Sequence, residues 1–160
     1  MNIRVGYGYD VHQMKKGHPF WLGGIRIDHS HGPFGHSDAD ILIHVICDAL
    51  LGAANLRDIG FHFSDQDDRY KNIDSKILLA ETLILIRNKG YEIGNIDSTV
   101  CLQRPKLKPL IPEMQDCLAK VINIDSDQIS IKATTTEKLG FVGREEGIAA
   151  HATVLIFKNS

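Results

Sequence analysis

The chain has 160 residues, of which 43% are hydrophobic and 24% charged, with 14 glycines and 5 prolines. This length and mixture are typical of one globular domain with its own core. With 18 basic and 20 acidic residues the formal net charge is −2, which argues against a general nucleic-acid or anionic-membrane binder, so an anionic ligand would have to be bound by local groups.

Three features indicate the compartment. The first residues, MNIRVGYGYD, have neither the apolar core of a signal peptide nor the Arg/Ser-rich character of a transit peptide. No apolar run approaches the ~20 residues that span a bilayer. Cys47, Cys101 and Cys117 are far apart and odd in number, which is typical of free thiols in a reducing compartment. We therefore expect a cytoplasmic protein without a membrane contact.

The first half of the chain predicts two strands and one helix. Residues 3–12 and 20–27 have strand character and are joined by the turn-forming MKKGHP. After the loop DHSHGPFGHSD, apolar residues at helical spacing predict a helix over DADILIHVICDALLGAANL, with Ser37 or Asp38 as its N-cap. The following RDIGFHFSDQDDRYKN has no clear period and is predicted to be a loop.

The second half predicts two helices and three strands. One helix begins at about Ser75, capped by Asp74 or Ser75, and ends at Gly90. The other elements are a strand at 96–103, a helix at roughly 111–122 after the proline-rich RPKLKPLIP, and strands at 128–136 and 147–157. We expect a single domain over residues 1–160 of the α/β (α+β) class, with three main helices packed on one side of a mixed sheet.

Acidic and histidine side chains recur at regular spacing in two of these elements. Asp10 and His12 share one face of the first strand, and Asp40, His44 and Asp48 share one face of the first helix. Asp10, His12 and His44 would form a two-histidine, one-carboxylate set with an open coordination position, which is typical of a catalytic metal. Zinc suits this set best, and manganese, cobalt and iron remain open. Asp40 or Asp48 could then orient a histidine.

The alternative for Asp10 and His12 is a polar strand edge that faces solvent, because spacing alone does not show that the strand and the helix meet. A similar choice applies to KATTTEKLGFVGREEG, residues 132–147. Its threonines, with Lys132, Lys138 and Arg144, could bind phosphate oxygens. Its alternative is a threonine-rich strand face followed by a charged turn.

Seven motifs run from one end of the chain to the other: GYGYDVH, LGG, GHSDADILIHVICDALLGAA, DIGFHFSDQD, RPKLKP, IPEM and KATTTEKLGFVGREEGIAAHA. In content and order they resemble the 2-C-methyl-D-erythritol 2,4-cyclodiphosphate synthase family. The resemblance implies a lyase of the non-mevalonate isoprenoid pathway. It would convert 4-diphosphocytidyl-2-C-methyl-D-erythritol 2-phosphate into the 2,4-cyclodiphosphate and release CMP. It also implies a homotrimer with active sites between subunits.

The resemblance assigns metals and catalytic groups. It implies Zn²⁺ (or Mn²⁺) at Asp10, His12 and His44, and Mg²⁺ or Mn²⁺ at Glu137, bridging the diphosphate. His36 and Thr135 would be catalytic by stabilising the transition state. The 2-phosphate attacks the β-phosphorus within the same molecule, so catalysis depends on positioning and charge stabilisation. No general base is needed, because the phosphate is already an anion at neutral pH.

The resemblance also implies a large set of substrate contacts, which falls into two groups along the chain. The first group comprises Asp10, His12, His36, Ser37, Asp58, Ile59, Gly60, Phe63, Ser64, Asp65, Gln66 and Asp67. The second comprises Leu102, Gln103, Arg104, Pro105, Lys106, Leu107, Lys108, Ala133, Thr134, Thr135, Thr136, Glu137, Phe141 and Arg144. The stretches 102–108 and 133–135 are expected to hold the cytidine from a neighbouring subunit.

Two residues depart from the family pattern. Ser64 replaces a usual proline, which is expected to loosen the acidic loop. His151 replaces a glutamate that lines a threefold channel, near Arg144, and leaves open whether an isoprenoid diphosphate binds there. Two other functions also remain open from the sequence. One is a metal-dependent hydrolase that opens the diphosphate with water, and the other is a non-catalytic trimer that binds isoprenoid diphosphates.

Overall fold

The computed structural model describes residues 2–158 and contains seven strands and five α-helices in that range. In chain order these are β1 (Asn2–Lys16), β2 (Phe20–Leu22), β3 (Ile25–Ile27), β4 (His31–Phe34), α1 (Ile41–Ala53), α2 (Ile59–His62), α3 (Ser75–Asn88), β5 (Glu92–Cys101), α4 (Ile111–Ile122), β6 (Ile129–Thr134), α5 (Gly140–Gly143) and β7 (Gly147–Lys158). No helix in this part of the chain is both long and apolar enough to cross a membrane.

One mixed sheet organises the domain. Its strand order is β4-β1-β7-β5-β6, and β5 and β6 are parallel while the other neighbours are antiparallel. Helix α1 packs on β1 and β7, α3 packs on α1, and α4 packs on α3 and β6. Buried side chains of these elements form one continuous core. The prediction of a single α+β domain with a mixed sheet is therefore confirmed.

Several predicted boundaries were wrong. Residues 20–27 are not one strand but the hairpin of β2 and β3, which turns at Gly23 and Gly24, both at positive φ. Strand β4 lies within the predicted loop and pairs with the end of β1. Strand β5 begins four residues before the predicted start and excludes residues 102 and 103, while β6 is two residues shorter at its C-terminal end than predicted. The bounds of α4 and the cap of α3 by Asp74 were correct.

The first helix begins later than predicted, because its N-cap is Asp40 and not Ser37 or Asp38. The fully buried carboxylate of Asp40 accepts hydrogen bonds from the backbone N–H groups of Gly23 (2.9 Å), Gly24 (2.7 Å) and Ile43 (3.1 Å). Burial raises the pKa of Asp40, and these three bonds oppose that effect. Asp40 thus joins the hairpin turn to the start of α1.

Helix α1 approaches β1 closely because two glycines lie on the inward face of the strand. A Cβ atom on Gly6 would be 1.9 Å from the carbonyl oxygen of Ala49, and one on Gly8 would be 2.1 Å from that of Val45. Real side chains do not tolerate such distances, so any larger residue here would push the helix away from the strand. The GYGYD motif therefore sets the spacing between β1 and α1.

We predict that Gly8→Ala lowers the free energy of unfolding by about 2 kcal/mol or more, since overpacking a close contact typically costs ~1–3 kcal/mol. Urea unfolding of the metal-free protein measures this loss. Gly52→Ala, on the helix that packs against Gly8, is the matched control, because a Cβ there meets nothing within 4 Å. The control should gain up to about 1 kcal/mol from helix propensity. Equal stability of wild type and Gly8→Ala would contradict the assigned role.

Candidate metal centre and active site

Three ligating side chains meet where α1 crosses β1. Beyond Gly8, the inward face of β1 continues with Asp10 and His12, and the close approach of α1 brings His44 beside them. The Asp10 carboxylate oxygen lies 3.3 Å from His12 Nε2 and 3.4 Å from His44 Nδ1, and the two ring nitrogens are 3.1 Å apart. The strand and the helix therefore meet at the residues predicted from their spacing.

These distances fit a metal ion. A tetrahedral ion with bonds of about 2.0–2.1 Å places its ligand atoms about 3.3 Å from one another, and the three measured separations lie close to that value. Two imidazole nitrogens with one carboxylate oxygen suit zinc or another divalent transition metal. Asp10, His12 and His44 can thus bind one ion and leave a coordination position for a ligand.

The electrostatics favour the ligating forms of both groups on β1. Burial raises the pKa of Asp10, but contact with His44 and the charge of His12 outweigh it, so the net pKa is lowered. Burial lowers the pKa of His12, and His44 adds to this effect against the charge of Asp10. A charged carboxylate and a neutral imidazole are the forms that bind metals.

The expectation that Asp40 or Asp48 orients a histidine was wrong. The Asp40 carboxylate accepts hydrogen bonds from the backbone of the hairpin turn. Asp48 accepts a hydrogen bond from the backbone N–H of Ile59 at 2.7 Å, which holds the start of α2. Hydroxyl groups contact His44 instead: its Nε2 lies 3.0 Å from Ser37 Oγ and 3.2 Å from Ser75 Oγ. Asp40 is the N-cap and lies before the first helical turn, and the Asp48 carboxylate is engaged by the backbone of α2.

The metal centre lies in a cavity of about 340 Å³. The cavity collects most of the first group of predicted substrate contacts. It is lined by His12, His36, Ser37, His44, Ile59, Gly60, Phe63, Asp65, Tyr70 and Leu78. A volume of this size is typical of small-molecule sites. The two cavity residues that the sequence analysis missed, Tyr70 and Leu78, lie in the unpatterned loop and on an apolar helix face, where nothing in the sequence distinguishes them.

The remaining residues of the first group, apart from the ligand Asp10, do not line this cavity but lie within two residues of its lining residues in the sequence. Asp58 is the N-cap residue of α2, and the Ser64 hydroxyl accepts from the backbone N–H of Gln66 at 3.2 Å. The Asp67 carboxylate binds the guanidinium of Arg69 at 2.6–3.1 Å, so it is already paired. His36 Nε2 makes a long contact of 3.4 Å with the carbonyl oxygen of Asp67.

The second group of predicted contacts lines a separate cavity of about 150 Å³ beyond the end of β5. Its walls are Leu102, Gln103, Pro105, Lys106, Leu107, Lys108, Ala133, Thr134 and Thr135. No residue lines both this cavity and the metal cavity. Within one chain, the structure thus gathers the predicted substrate contacts into two groups and does not join them.

Several predicted binding residues lie outside both cavities. Glu137 is exposed and accepts from the Thr135 hydroxyl at 3.2 Å, apart from the metal ligands. Three predicted cations are paired with carboxylates: Arg144 with Glu146, Arg104 with Glu145, and Lys132 with Asp97. Thr136 donates to the carbonyl oxygen of Leu139, and Phe141 is partly exposed beside Gly147.

His151 lies on the sheet face opposite to the metal centre. Its Nδ1 is 2.8 Å from the Tyr7 hydroxyl, and its ring packs against that of Tyr9. Around it the exposed face of β1 carries apolar side chains, Ile3, Val5, Tyr7, Tyr9 and Val11, which are 39–64% exposed. The same strand therefore has ligands on one face and a continuous apolar surface on the other.

The comparison with protein families agrees with this architecture, because the model of the YgbB family matches residues 3–157. The chain belongs to the YgbB family. Two curated relatives named 2-C-methyl-D-erythritol 2,4-cyclodiphosphate synthase are similar over nearly their whole length. That of Bacteroides thetaiotaomicron is 66% identical over 159 residues, 99% of this chain and 100% of the relative. That of Porphyromonas gingivalis is 61% identical over 154 residues, 96% and 95% of the two chains.

Solved structures give the same result for this YgbB-family chain. The bifunctional IspDF of Campylobacter jejuni superimposes with a TM-score of 0.95 at 42% identity, covering 99% of this chain and 43% of that longer one. The IspF of Plasmodium falciparum in a CDP complex superimposes with a TM-score of 0.87 at 38% identity, covering 99% and 98%. The fold is thus that of the solved IspF structures.

We predict that His44→Ala removes the metal from this YgbB-family protein, because two ligands on β1 cannot replace the third. Elemental analysis of the purified protein should give about one zinc per chain for wild type and a small fraction of that for the variant. His29→Ala, which removes a half-buried histidine outside the metal cavity, should keep the full metal content. Stoichiometric metal in His44→Ala would refute the ligand assignment.

Proposed function

We propose that this protein catalyses the metal-dependent cyclisation of 4-diphosphocytidyl-2-C-methyl-D-erythritol 2-phosphate to 2-C-methyl-D-erythritol 2,4-cyclodiphosphate, with release of CMP, in the non-mevalonate isoprenoid pathway. One observation carries the proposal: three ligating atoms lie within 3.4 Å of one another beside a cavity that His36 and Ser37 also line. The names and high identities of the curated relatives support it.

The reaction is an internal phosphoryl transfer. An oxygen of the 2-phosphate forms a bond to the β-phosphorus, the bond from that phosphorus to the bridging oxygen breaks, and CMP leaves with this oxygen. Zinc held by Asp10, His12 and His44 would supply a Lewis acid and a template for the phosphate. The residues of the chain then need only to align the two phosphates and stabilise the developing charge.

The cavity residues suit those tasks. His36 has only a long contact with a backbone carbonyl, so its ring can turn to donate to a phosphate oxygen. The Ser37 hydroxyl lies beside it and can contact the 2-phosphate. We propose that Asp58 to Gly60, together with Phe63, Asp65 and the adjoining loop to Asp67, enclose the methylerythritol, with Asp58 or Asp65 accepting from its hydroxyls. Thr135, on the second cavity, would stabilise the transferring phosphoryl group.

A second divalent ion, Mg²⁺ or Mn²⁺, would bind at Glu137. Among residues 2–158, Glu137 belongs to no group of three side chains that could together hold an ion. Magnesium usually keeps several waters and binds through one or two carboxylates together with substrate phosphates. An exposed single carboxylate next to Thr135 suits such an ion, which would arrive with the diphosphate and neutralise charge on the leaving CMP.

We further propose a homotrimer with active sites between subunits. Two observations support it. The outer face of β1 carries five apolar or aromatic side chains that are 39–64% exposed, and exposed apolar patches often mark protein–protein interfaces. The metal cavity and the cavity of Leu102–Lys108 lie apart in one chain, whereas one substrate must contact both. A neighbouring subunit would bring the second cavity, with its pocket for cytidine, against the metal centre of the first.

The three free thiols are in keeping with the cytoplasm as the compartment of this protein.

Complementation between two inactive variants tests the shared site. His44→Ala lacks the metal half and Thr135→Ala the phosphate half. If each site joins halves from two chains, co-expressed variants should regain about a quarter of wild-type activity, because random mixing unites the intact halves at one interface in four. Light scattering should give three times the chain mass of 17.8 kDa. Activity that stays at the level of each variant alone would place both halves in one chain.

The reaction itself separates the proposed function from hydrolysis. Protein, Mg²⁺ and substrate should yield CMP and the cyclic diphosphate in equal amounts, measured by chromatography and ³¹P NMR, and His44→Ala should lose nearly all turnover. In H₂¹⁸O the product phosphates should gain no label, because the nucleophile belongs to the substrate. Label in the product would favour a metal-dependent diphosphate hydrolase, and absence of both products would sink the proposal.

A further inference from the structure

Beyond the ligands themselves, His44 has a second hydrogen-bonding side. Its Nδ1 faces Asp10 and His12, while its Nε2 faces the hydroxyls of Ser37 at 3.0 Å and Ser75 at 3.2 Å. Ser75 is the first residue of α3, far from His44 in sequence, and its side chain is fully buried. A buried hydroxyl against the outer nitrogen of a metal ligand is placed to control the orientation of that ligand.

The direction of the hydrogen bonds follows from the partner of Ser75. Its hydroxyl lies 2.5 Å from a carboxylate oxygen of Asp38, which can only accept, so the single hydroxyl hydrogen of Ser75 goes to Asp38. The Ser75 oxygen is then left to accept from His44 Nε2. This arrangement requires a hydrogen on Nε2 and leaves Nδ1 with a free lone pair, which is the tautomer that can bind a metal.

Asp38 is itself held firmly. Its other carboxylate oxygen accepts from the backbone N–H of Ser75 at 3.0 Å, and the first oxygen also accepts from the backbone N–H of Asp40 at 3.1 Å. The carboxylate thus accepts two hydrogen bonds from the start of α3 and one from the start of α1. It cannot turn away and release the Ser75 hydroxyl without breaking these bonds.

We propose that Ser75, polarised by Asp38, is a positioning residue that holds His44 in the metal-binding tautomer and ring orientation. The inference rests on the proposed metal site. Ser37 also contacts Nε2 and lines the cavity, but its hydroxyl has no carboxylate acceptor; it accepts from the backbone N–H of Ala39 at 3.1 Å and lies 3.4 Å from the Ser75 hydroxyl. The contact of Ser75 with His44 Nε2 is therefore fixed by Asp38, whereas Ser37, which lines the cavity, would be free to contact substrate instead.

Zinc affinity and histidine tautomer test this role. In competition with a chromophoric chelator, Ser75→Ala should bind zinc about tenfold more weakly, the lower end of the effect of lost outer-shell partners, because Ser37 still accepts. In ¹⁵N NMR of the metal-free protein at mildly alkaline pH, His44 should be the Nε2–H tautomer in wild type and a mixture in the variant. Ser75→Thr, which keeps the hydroxyl, should have the zinc affinity and the His44 tautomer of wild type.

Ser98→Ala is the matched control, since Ser98 is also buried and its hydroxyl donates to the carbonyl oxygen of Ser130. It should alter neither zinc affinity nor tautomer. Wild-type affinity and tautomer in Ser75→Ala would overturn the proposal, as would equal losses in Ser75→Ala and Ser98→Ala. Failure of wild type to bind zinc would instead refute the metal site, and the tautomer measurement would still decide the role of Ser75.

Discussion

The contact between α1 and β1 is the constraint on which the rest of the site depends. Helices pack on sheets at a distance set by their side chains, and here Gly6 and Gly8 remove those side chains from the strand. The helix backbone therefore packs directly against the strand, and the next inward residues, Asp10 and His12, lie beside His44. With ordinary residues at the two glycines, the three ligands would lie on neighbouring elements without sharing an ion.

The two halves of the proposed site are built differently. The metal half lies between elements of the core and is held by buried and half-buried groups, including Asp48 against Ile59 and Ser75 against His44. The phosphate half consists of exposed side chains on turns, among them Thr135 and Glu137. Ligands held by neighbouring side chains are placed for an ion before any substrate binds, whereas Thr135 and Glu137 contact each other and face solvent, where a phosphate can reach them.

The sequence predicted the features that depend on the periodicity of a single strand or helix. It did not predict the features that depend on contacts between two elements. Alternation in β1 placed Asp10 and His12 on one face, and helical spacing placed His44 correctly. The start of α1 and the hairpin at Gly23 and Gly24 were missed because Asp40 bonds to a turn that lies 16 residues earlier. Ser75 could not be linked to His44 by any spacing, since the contact arises from how α3 packs on α1. The motif resemblance supplied the two groups of substrate contacts and implied that they act across a subunit boundary, whereas the distinct cavities that the two groups line in one chain follow from the fold.

Strand β1 carries two surfaces with unrelated chemistry on alternate residues: ligands and glycines face inward, and apolar side chains face outward. The demands of the metal site and those of the apolar outer surface thus act on alternate positions of residues 3–12. Each position can vary within the demands of its own face. A single inserted or deleted residue, however, would exchange the two faces over the rest of the strand, so this segment should tolerate apolar substitutions on its outer face far better than any change in length.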